Sequence, residues 1–357
     1  MYSAWTRRSG LVVLALCLGY SSQAANQGWA EQPSADAHSD AYSRLADYAG
    51  WSETEMAVDD TATKSCAGCC PGWYIQADYL NWQPRRSGLG VAILDPVGFG
   101  VPSAGNPVLA LDFDRDSGLR VALGRRTVTG WDLGFRYTYF STDDHLALAP
   151  GGGQVLALLS SPASGLTNAD SVAATAGVEL NVYDLEAGHW LRVSDSVSGR
   201  ISLGLRYAQI DQDLQARYDG GFFSNGLVDA PTGFEGFGGR LAGAVYWDLA
   251  WGFSIFGDLG VSLLAGELQS DRREENFGTT VVDVKNEVEQ IIPVVDMSLG
   301  VAWNRGPWTI SGGYELSNWF NVSTTTDFAD NFNGGSLDDG LSDLGFDGFF
   351  LRLAYVR

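Results

Sequence analysis

The stretch "GRISLGLRYAQIDQDL", Gly199–Leu214, alternates residue by residue. Ile201, Leu203, Leu205 and Tyr207 are apolar, and Ser202, Gly204, Arg206 and Ala208 between them are small or charged. A period of two is the mark of a β-strand with two unlike faces. In a soluble sandwich the apolar face turns inward and the polar face meets water. In a membrane barrel the sense is reversed, with the apolar face on lipid and the polar face in the lumen. The rest of the chain decides between them.

The chain has 357 residues and a formal net charge of -21. That acidic balance argues against nucleic acid as a partner, since phosphate binding needs clustered Lys and Arg. No run of 18 apolar residues is present, so no spanning helix is expected. Arg7 and Arg8, the apolar run Leu11–Leu18 and the small-x-small site Ser22–Ala24 read as a signal peptide over residues 1–24. The chain is therefore expected to be exported, with the bacterial outer membrane as its place. Residues 25–72 are polar and acidic without sustained periodicity, and read as a flexible, disordered periplasmic tail. That segment carries Cys66, Cys69 and Cys70. A tether, a disulfide or no role at all accounts for these thiols better than zinc, which needs about four ligands.

From Trp73 the chain shows ten alternating runs: 73–83, 111–127, 131–142, 178–194, 199–214, 234–249, 253–268, 290–304, 308–320 and 344–357. Their connections alternate long and short to the end, with Gln269–Thr280 read as one of the long, charged loops. Up-and-down barrels of the outer membrane connect their strands in this way, and a sandwich has no reason to. The expected fold is all-β: a transmembrane up-and-down antiparallel β-barrel of about ten strands over residues 73–357. Trp73, Trp131, Trp251, Trp303 and Trp308, with Trp247 close by, fall at the short-turn ends and suggest an aromatic girdle. Trp82 and Trp319, with Tyr139 and Phe140, fall at the long-loop ends and suggest a second. Trp190 shares the parity of Arg192, so it faces the lumen or follows a bulge.

The opposite parity gives the candidate pore-lining residues: Asp78, Arg120, Arg136, Asp184, Glu186, Arg192, Arg206, Arg240, Asp258, Asp296, Glu315 and Arg352. A charge on the lipid side costs about 2–4 kcal/mol near the midplane, so these belong inside. "GWYIQADYLNW", "GWDLGFRYTYF", "VYDLEAGHWLRVSD", "GLRYAQIDQDL", "FEGFGGRL" and "SDLGFDGFFLRLAYV" resemble the Legionella-type pore-forming outer-membrane protein family. The resemblance covers the barrel from about Trp73 to Arg357 and leaves out the N-terminal tail. It implies a pore-forming role, which periodicity alone does not.

Little else in the sequence carries chemistry. His38 lies in the tail and His189 has lipid-face parity. His145 follows Asp143 and Asp144 at an outer lip, where an imidazole and a carboxylate could activate water, but acidic residues there read first as solvation. "GLGVAILDPVGFG", Gly88–Gly100, sits in a loop rather than between strand and helix, so no cofactor is expected. The last long loop carries Asp327, Asp330, Asp338, Asp339, Asp343 and Asp347 without Lys or Arg. Solvation and mutual repulsion explain it better than calcium. The expected function is a passive pore for small solutes or ions, with no catalysis. Its expected partners are outer-membrane lipid and the barrel-assembly machinery. The alternatives are a barrel that only anchors adhesive or structural loops and, further off, an outer-membrane hydrolase.

Overall fold

A computed structural model describes residues 71–96, 105–161, 168–328 and 337–357, with the side chains of 325–339 outside that description. The signal segment, the acidic tail and Cys66, Cys69 and Cys70 lie outside the described residues. The strands are β1 (Gly72–Arg86), β2 (Gly90–Asp95), β3 (Val108–Ala110), β4 (Asp116–Arg126), β5 (Trp131–Leu148), β6 (Gln154–Ala157), β7 (Asn168–Ala169), β8 (Ser171–Arg192), β9 (Val197–Gly220), β10 (Phe223–Asp229), β11 (Thr232–Asp248), β12 (Phe253–Asn276), β13 (Thr279–Arg305), β14 (Trp308–Phe328) and β15 (Leu337–Val356).

Ten of them close an antiparallel barrel in the order β1-β4-β5-β8-β9-β11-β12-β13-β14-β15, with β15 pairing back onto β1. The alternation chooses the membrane sense. Ile201, Leu203 and Leu205 face outward, while Ser202 and Arg206 are buried inside. The apolar belt is closed at the short-turn end by outward Trp73, Trp131, Trp247 and Trp308. At the other end the girdle is tyrosine, not tryptophan. Tyr79 shares a hydrogen bond with Ser117 (2.9 Å), and Tyr137 and Tyr207 donate to Asn181 and Glu235 (2.8 Å each). Each hydroxyl thus meets a polar residue just above the belt, as an amphipathic ring does at a lipid–water boundary.

That arrangement corrects the expected outer girdle. Of its four members only Tyr139 is exposed; Trp82, Trp319 and Phe140 are 3%, 1% and 0% exposed and fill the barrel. Trp82 and Phe140 share the inward parity of Asp78 and Arg136, and position near a strand end hid that parity. The strands also run further outward than the alternation showed. Above the lipid both faces can be polar, so the periodic signal fades although the backbone ladder continues. The expected charged loop Gln269–Thr280 is accordingly the tip of a long β12–β13 hairpin that turns at Phe277–Gly278, both with positive φ. β10 extends the sheet between β9 and β12.

The first two long connections also fold. β3-β2-β6-β7 form a separate four-stranded sheet. Its Val91, Ala92 and Val155 join Leu111, Phe113, Tyr218 and Phe223 in a buried cluster at the outer end. Tyr218 donates to the Val91 carbonyl at 2.6 Å, and burial pushes its hydroxyl above its ordinary ionisation range. β14 leaves the wall at a bulge. Its ladder with β13 stops at Val294–Trp319, Asn321 has a φ of 57°, and pairing resumes only with β15 from Ser323–Ser342. The freed segment is met from other walls: Gln212 donates to the Val322 carbonyl at 3.0 Å, and Thr232 shares a hydrogen bond with Thr324 at 2.9 Å.

Leu203 is 67% exposed within the apolar belt, and Glu267 is exposed on the outward face above it. Leu203→Arg should cost about 2–4 kcal/mol of barrel stability and Glu267→Arg at most about 1 kcal/mol. Urea titration in lipid vesicles, read by heat-modifiable gel mobility, checks this; equal costs would mean that Leu203 does not face lipid.

Candidate functional site

At membrane level the interior is lined by arginines and carboxylates that face one another across the barrel. One cluster joins four consecutive strands. Asp78 on β1 receives Arg120 of β4 at 3.2 Å and Arg352 of β15 at 3.0 Å. Arg120 also reaches Glu315 of β14 at 3.1 Å, and Trp82 donates its indole N–H to the same carboxylate at 2.8 Å. A guanidinium with two carboxylates, and a carboxylate with two guanidiniums, satisfy buried charge on both sides.

A second cluster spans the lumen. Arg206 of β9 binds Asp184 of the neighbouring β8 at 2.7 Å and Asp296 of the more distant β13 at 2.9 Å. Asp296 also binds Arg240 and accepts Ser317 Oγ at 2.7 Å. Glu186 gathers Arg240 at 3.0 Å, Arg200 at 3.2 Å and Ser202 Oγ at 3.0 Å, with Arg136 further off at 3.8 Å. Arg200 grips Asp132 with two hydrogen bonds, 2.7 and 2.9 Å.

Several of these reaches pass over an intervening strand, and in two of them a glycine lies directly under the guanidinium. Arg200 on β9 crosses β8 to Asp132 on β5; a Cβ on Gly188 of β8 would lie 2.6 Å from its Nε. Arg240 on β11 crosses β12 to Asp296 on β13; a Cβ on Gly260 of β12 would lie 2.5 Å from its Nη2. A side chain at either position would displace the guanidinium.

Eleven of the twelve residues picked from parity lie in this interior; the other, Arg192, is 52% exposed and pairs with Asp195 in the β8–β9 turn at 3.4 Å. It lies beyond the belt, where parity no longer distinguishes lumen from solvent. Asp258 meets Ser298 (2.8 Å) and has no arginine within 4.0 Å among the ion pairs of the described residues. Sequence reasoning passed over Asp132, Arg126 and Arg200. All sit at strand ends, and the signal was available: Asp132 lies between Trp131 and Leu133. Trp190 faces inward, with the Arg126 guanidinium 4.8 Å from its ring centroid.

The interior is layered along its axis. Toward the short turns the charged residues border a cavity of about 280 Å³ that also touches Tyr74, Tyr246, Asn304 and Pro307. Toward the outer side Trp82, Phe140 and Phe346 form a triangle with centroids 5.6–5.7 Å apart. Leu80, Leu180, Ile210, Phe234, Leu264 and Ile292 fill in around it. At the outer lip Asp144 accepts the backbone N–H groups of Asp112 and His145, 2.9 and 2.8 Å. His189 stacks edge-on against Trp131 at 4.8 Å. Of the acidic last loop, Asp347 is held by Arg85 at 2.6 Å and Asp343 accepts the Asn321 N–H at 3.0 Å, so these two are paired rather than merely solvated. The side chains of Asp327, Asp330, Asp338 and Asp339 lie outside the described residues.

Arg206 is 5% exposed on its side chain and holds two carboxylates. Arg206→Gln should destabilise the barrel by about 3–5 kcal/mol, because it strands Asp184 and Asp296 in the interior. Urea-induced unfolding in vesicles measures it, and a loss below about 1 kcal/mol would show those carboxylates to be hydrated.

The family described as Legionella pneumophila major outer membrane protein precursor matches residues 67–357. No curated protein matches the chain. Among solved structures, the chain is similar to the outer membrane protease OmpT of Escherichia coli at 10% identity, covering 83% of this chain and 100% of that one, with a TM-score of 0.47. It is similar to the translocator domain of the autotransporter NalP of Neisseria meningitidis at 11% identity, covering 90% and 97%, with a TM-score of 0.37. It is similar to the Pseudomonas putida toluene transporter TodX at 9% identity, covering 80% and 88%, with a TM-score of 0.32.

Proposed function

The chain belongs to the Legionella pneumophila major outer membrane protein family, and we propose that it is a pore-forming outer-membrane barrel held here in its closed state. The observation that carries this reading is the ionisable lining around a cavity of about 280 Å³ at membrane level. A barrel that serves only as an anchor can fill its interior with apolar side chains, as this one does toward the outer side. Here water-sized space persists among paired charges and stops at a seal of Trp82, Phe140 and Phe346. Hydrophobic constrictions of this kind gate by excluding water.

The lining supports weak ion selectivity and low conductance. Arg120, Arg126, Arg136, Arg200, Arg206, Arg240 and Arg352 face Asp78, Asp132, Asp184, Glu186, Asp258, Asp296 and Glu315, seven charges of each sign. Arginines that hold carboxylates across the lumen narrow it and offer no surplus of either sign along most of its length. Ions and small hydrophilic solutes are the proposed cargo, and outer-membrane lipid and the barrel-assembly machinery the proposed partners. The reading assigns no catalytic step; the Asp144 carboxylate beside His145 is engaged by two backbone N–H groups. One observation favours the anchor reading as second choice: the four-stranded sheet β3-β2-β6-β7, a folded element at the outer end that a bare pore does not need.

Single-channel recording in planar bilayers tests the pore. The wild type should show small, brief openings without strong ion preference. Trp82→Ala combined with Phe346→Ala should raise open probability or conductance severalfold. If both proteins stay silent while heat-modifiable mobility shows them folded, the barrel is an anchor.

A further inference from the structure

The geometry points to a binding site for a small organic carboxylate in the short-turn half of the barrel, built around Arg126. Of the seven arginines that border the cavity, Arg120, Arg136, Arg200, Arg206, Arg240 and Arg352 each have a carboxylate within 4.0 Å, and Arg126 has none among the described residues. Its register partner is Asp132, but both oxygens of that carboxylate are taken by Arg200 at 2.7 and 2.9 Å. Among the described residues the Arg126 Nε, the Arg136 Nε and the Trp190 Nε1 all lack a hydrogen-bond partner. The acid that balances Arg126 in the overall count is Asp258, which accepts a hydrogen bond from Ser298 Oγ and lines the opposite wall of the same cavity, on β12, without touching Arg126. Among the described residues Arg126 is therefore the one arginine of the cavity with no carboxylate in contact, and it stands among donors without acceptors.

The surroundings hold that guanidinium in place while leaving it unpaired. Its Cζ lies 5.2 Å from the Tyr74 ring centroid and 4.8 Å from that of Trp190. Two aromatic rings stabilise the charge through their π faces but cannot accept its in-plane N–H groups as a carboxylate does. Tyr74 can lie there because two residues beneath it are glycines: a Cβ on Gly124 would be 2.4 Å from its phenol ring, and one on Gly134 2.2 Å from its hydroxyl. Tyr246 stands 5.4 Å from Trp190, with Phe256 5.7 Å beyond it. Tyr74, Arg126, Trp190 and Tyr246 all line the same cavity, which extends to Gly306 and Pro307 at the short-turn end.

These features select the ligand. One unpaired planar fork matches one carboxylate, bidentately. A phosphate dianion would bring a second charge up against Asp132 and Glu186. Aromatic walls give an apolar body a surface that a bare inorganic ion would not use. The site stands whether or not the barrel conducts, since it asks only for entry from the short-turn side.

Isothermal titration calorimetry on the full chain, refolded in detergent micelles, tests this with sodium benzoate as the probe. Benzyl alcohol and inorganic phosphate serve as the neutral and non-aromatic comparisons. Benzoate should bind saturably, and both comparisons should bind at least about tenfold more weakly, the worth of one charge-assisted pairing. Arg126→Gln should weaken benzoate by roughly tenfold or more on the same grounds. Arg126→Lys keeps the charge, loses the fork and secures the test if the glutamine variant does not fold; it should weaken benzoate roughly threefold or more. No saturable benzoate binding, phosphate as tight as benzoate, or unchanged affinity in a folded Arg126 variant would each overturn the site. Because binding is read in micelles, a silent bilayer recording leaves this result untouched and speaks only to the pore.

Discussion

Everything at membrane level in this barrel depends on guanidinium–carboxylate pairing across the lumen. A closed sheet removes edge strands and satisfies the backbone, but it leaves an interior that side chains must fill. Here they fill it with charge, and buried charge is tolerable only when each group finds partners. That requirement explains features which look unrelated in sequence. Asp296 is shared by Arg206 and Arg240 from two other strands, and Glu186 by Arg200 and Arg240. Gly188 and Gly260 are small because an arginine must pass over each of them to reach its acid.

The pairing also orders the barrel along its axis. Trp82 belongs to two layers at once: its indole N–H binds Glu315 in the charged layer, and its ring joins Phe140 and Phe346 in the apolar one. Arg120 lies 5.4 Å from the same ring and so couples the ion pairs to the seal. Above the seal the bulge at Asn321 frees β14 from β13, and Gln212, Thr232 and Ser270 receive it with hydrogen bonds. A rearrangement that opened the lumen would have to break ion pairs and aromatic contacts together. That coupling is the kind of bistable packing on which gating relies.

The barrel and its sense were legible in the sequence because lipid imposes strict alternation. Leu203 outside and Arg206 inside follow from parity once the alternation of long and short connections has chosen a membrane barrel. The legible part ends where that constraint ends. Above the lipid, Gln269 to Asn276 is polar on both faces, so the outer end of β12 carries no period. On β13, Val282, Val284 and Val288 do alternate with Asp283, Lys285, Glu287 and Glu289, a pattern that the charged surroundings made read as loop. The interior tryptophans were misplaced for a related reason: aromatic residues near a strand end suit an interfacial girdle and a packed lumen equally well by type, and the inward parity that Trp82 shares with Asp78 and Trp319 with Glu315 was outweighed by their position. The small sheet β3-β2-β6-β7 was illegible because its strands are two to six residues long and their pairing is not local. Parity placed eleven charged residues in the interior and misplaced Arg192, and their pairing depends on register across the barrel, which one sequence does not display. Asp132, Arg126 and Arg200 were missed at strand ends: Arg126 lies between Arg125 and Thr127 and Arg200 has only Ile201 as an apolar neighbour, while Asp132, between Trp131 and Leu133, was readable.

If trans-lumen pairing is the organising interaction, its members must be energetically coupled and not merely close. The direct measurement is a double-mutant cycle on Arg206 and Asp296, which meet from non-adjacent strands at 2.9 Å. Arg206→Met, Asp296→Leu and the double variant would be unfolded by urea in lipid vesicles. The account predicts a coupling energy of about 2 kcal/mol or more, with the double variant far less damaged than the sum of the single ones. Additive losses, with coupling within about 0.5 kcal/mol of zero, would contradict it and leave the interior as a set of independently hydrated charges.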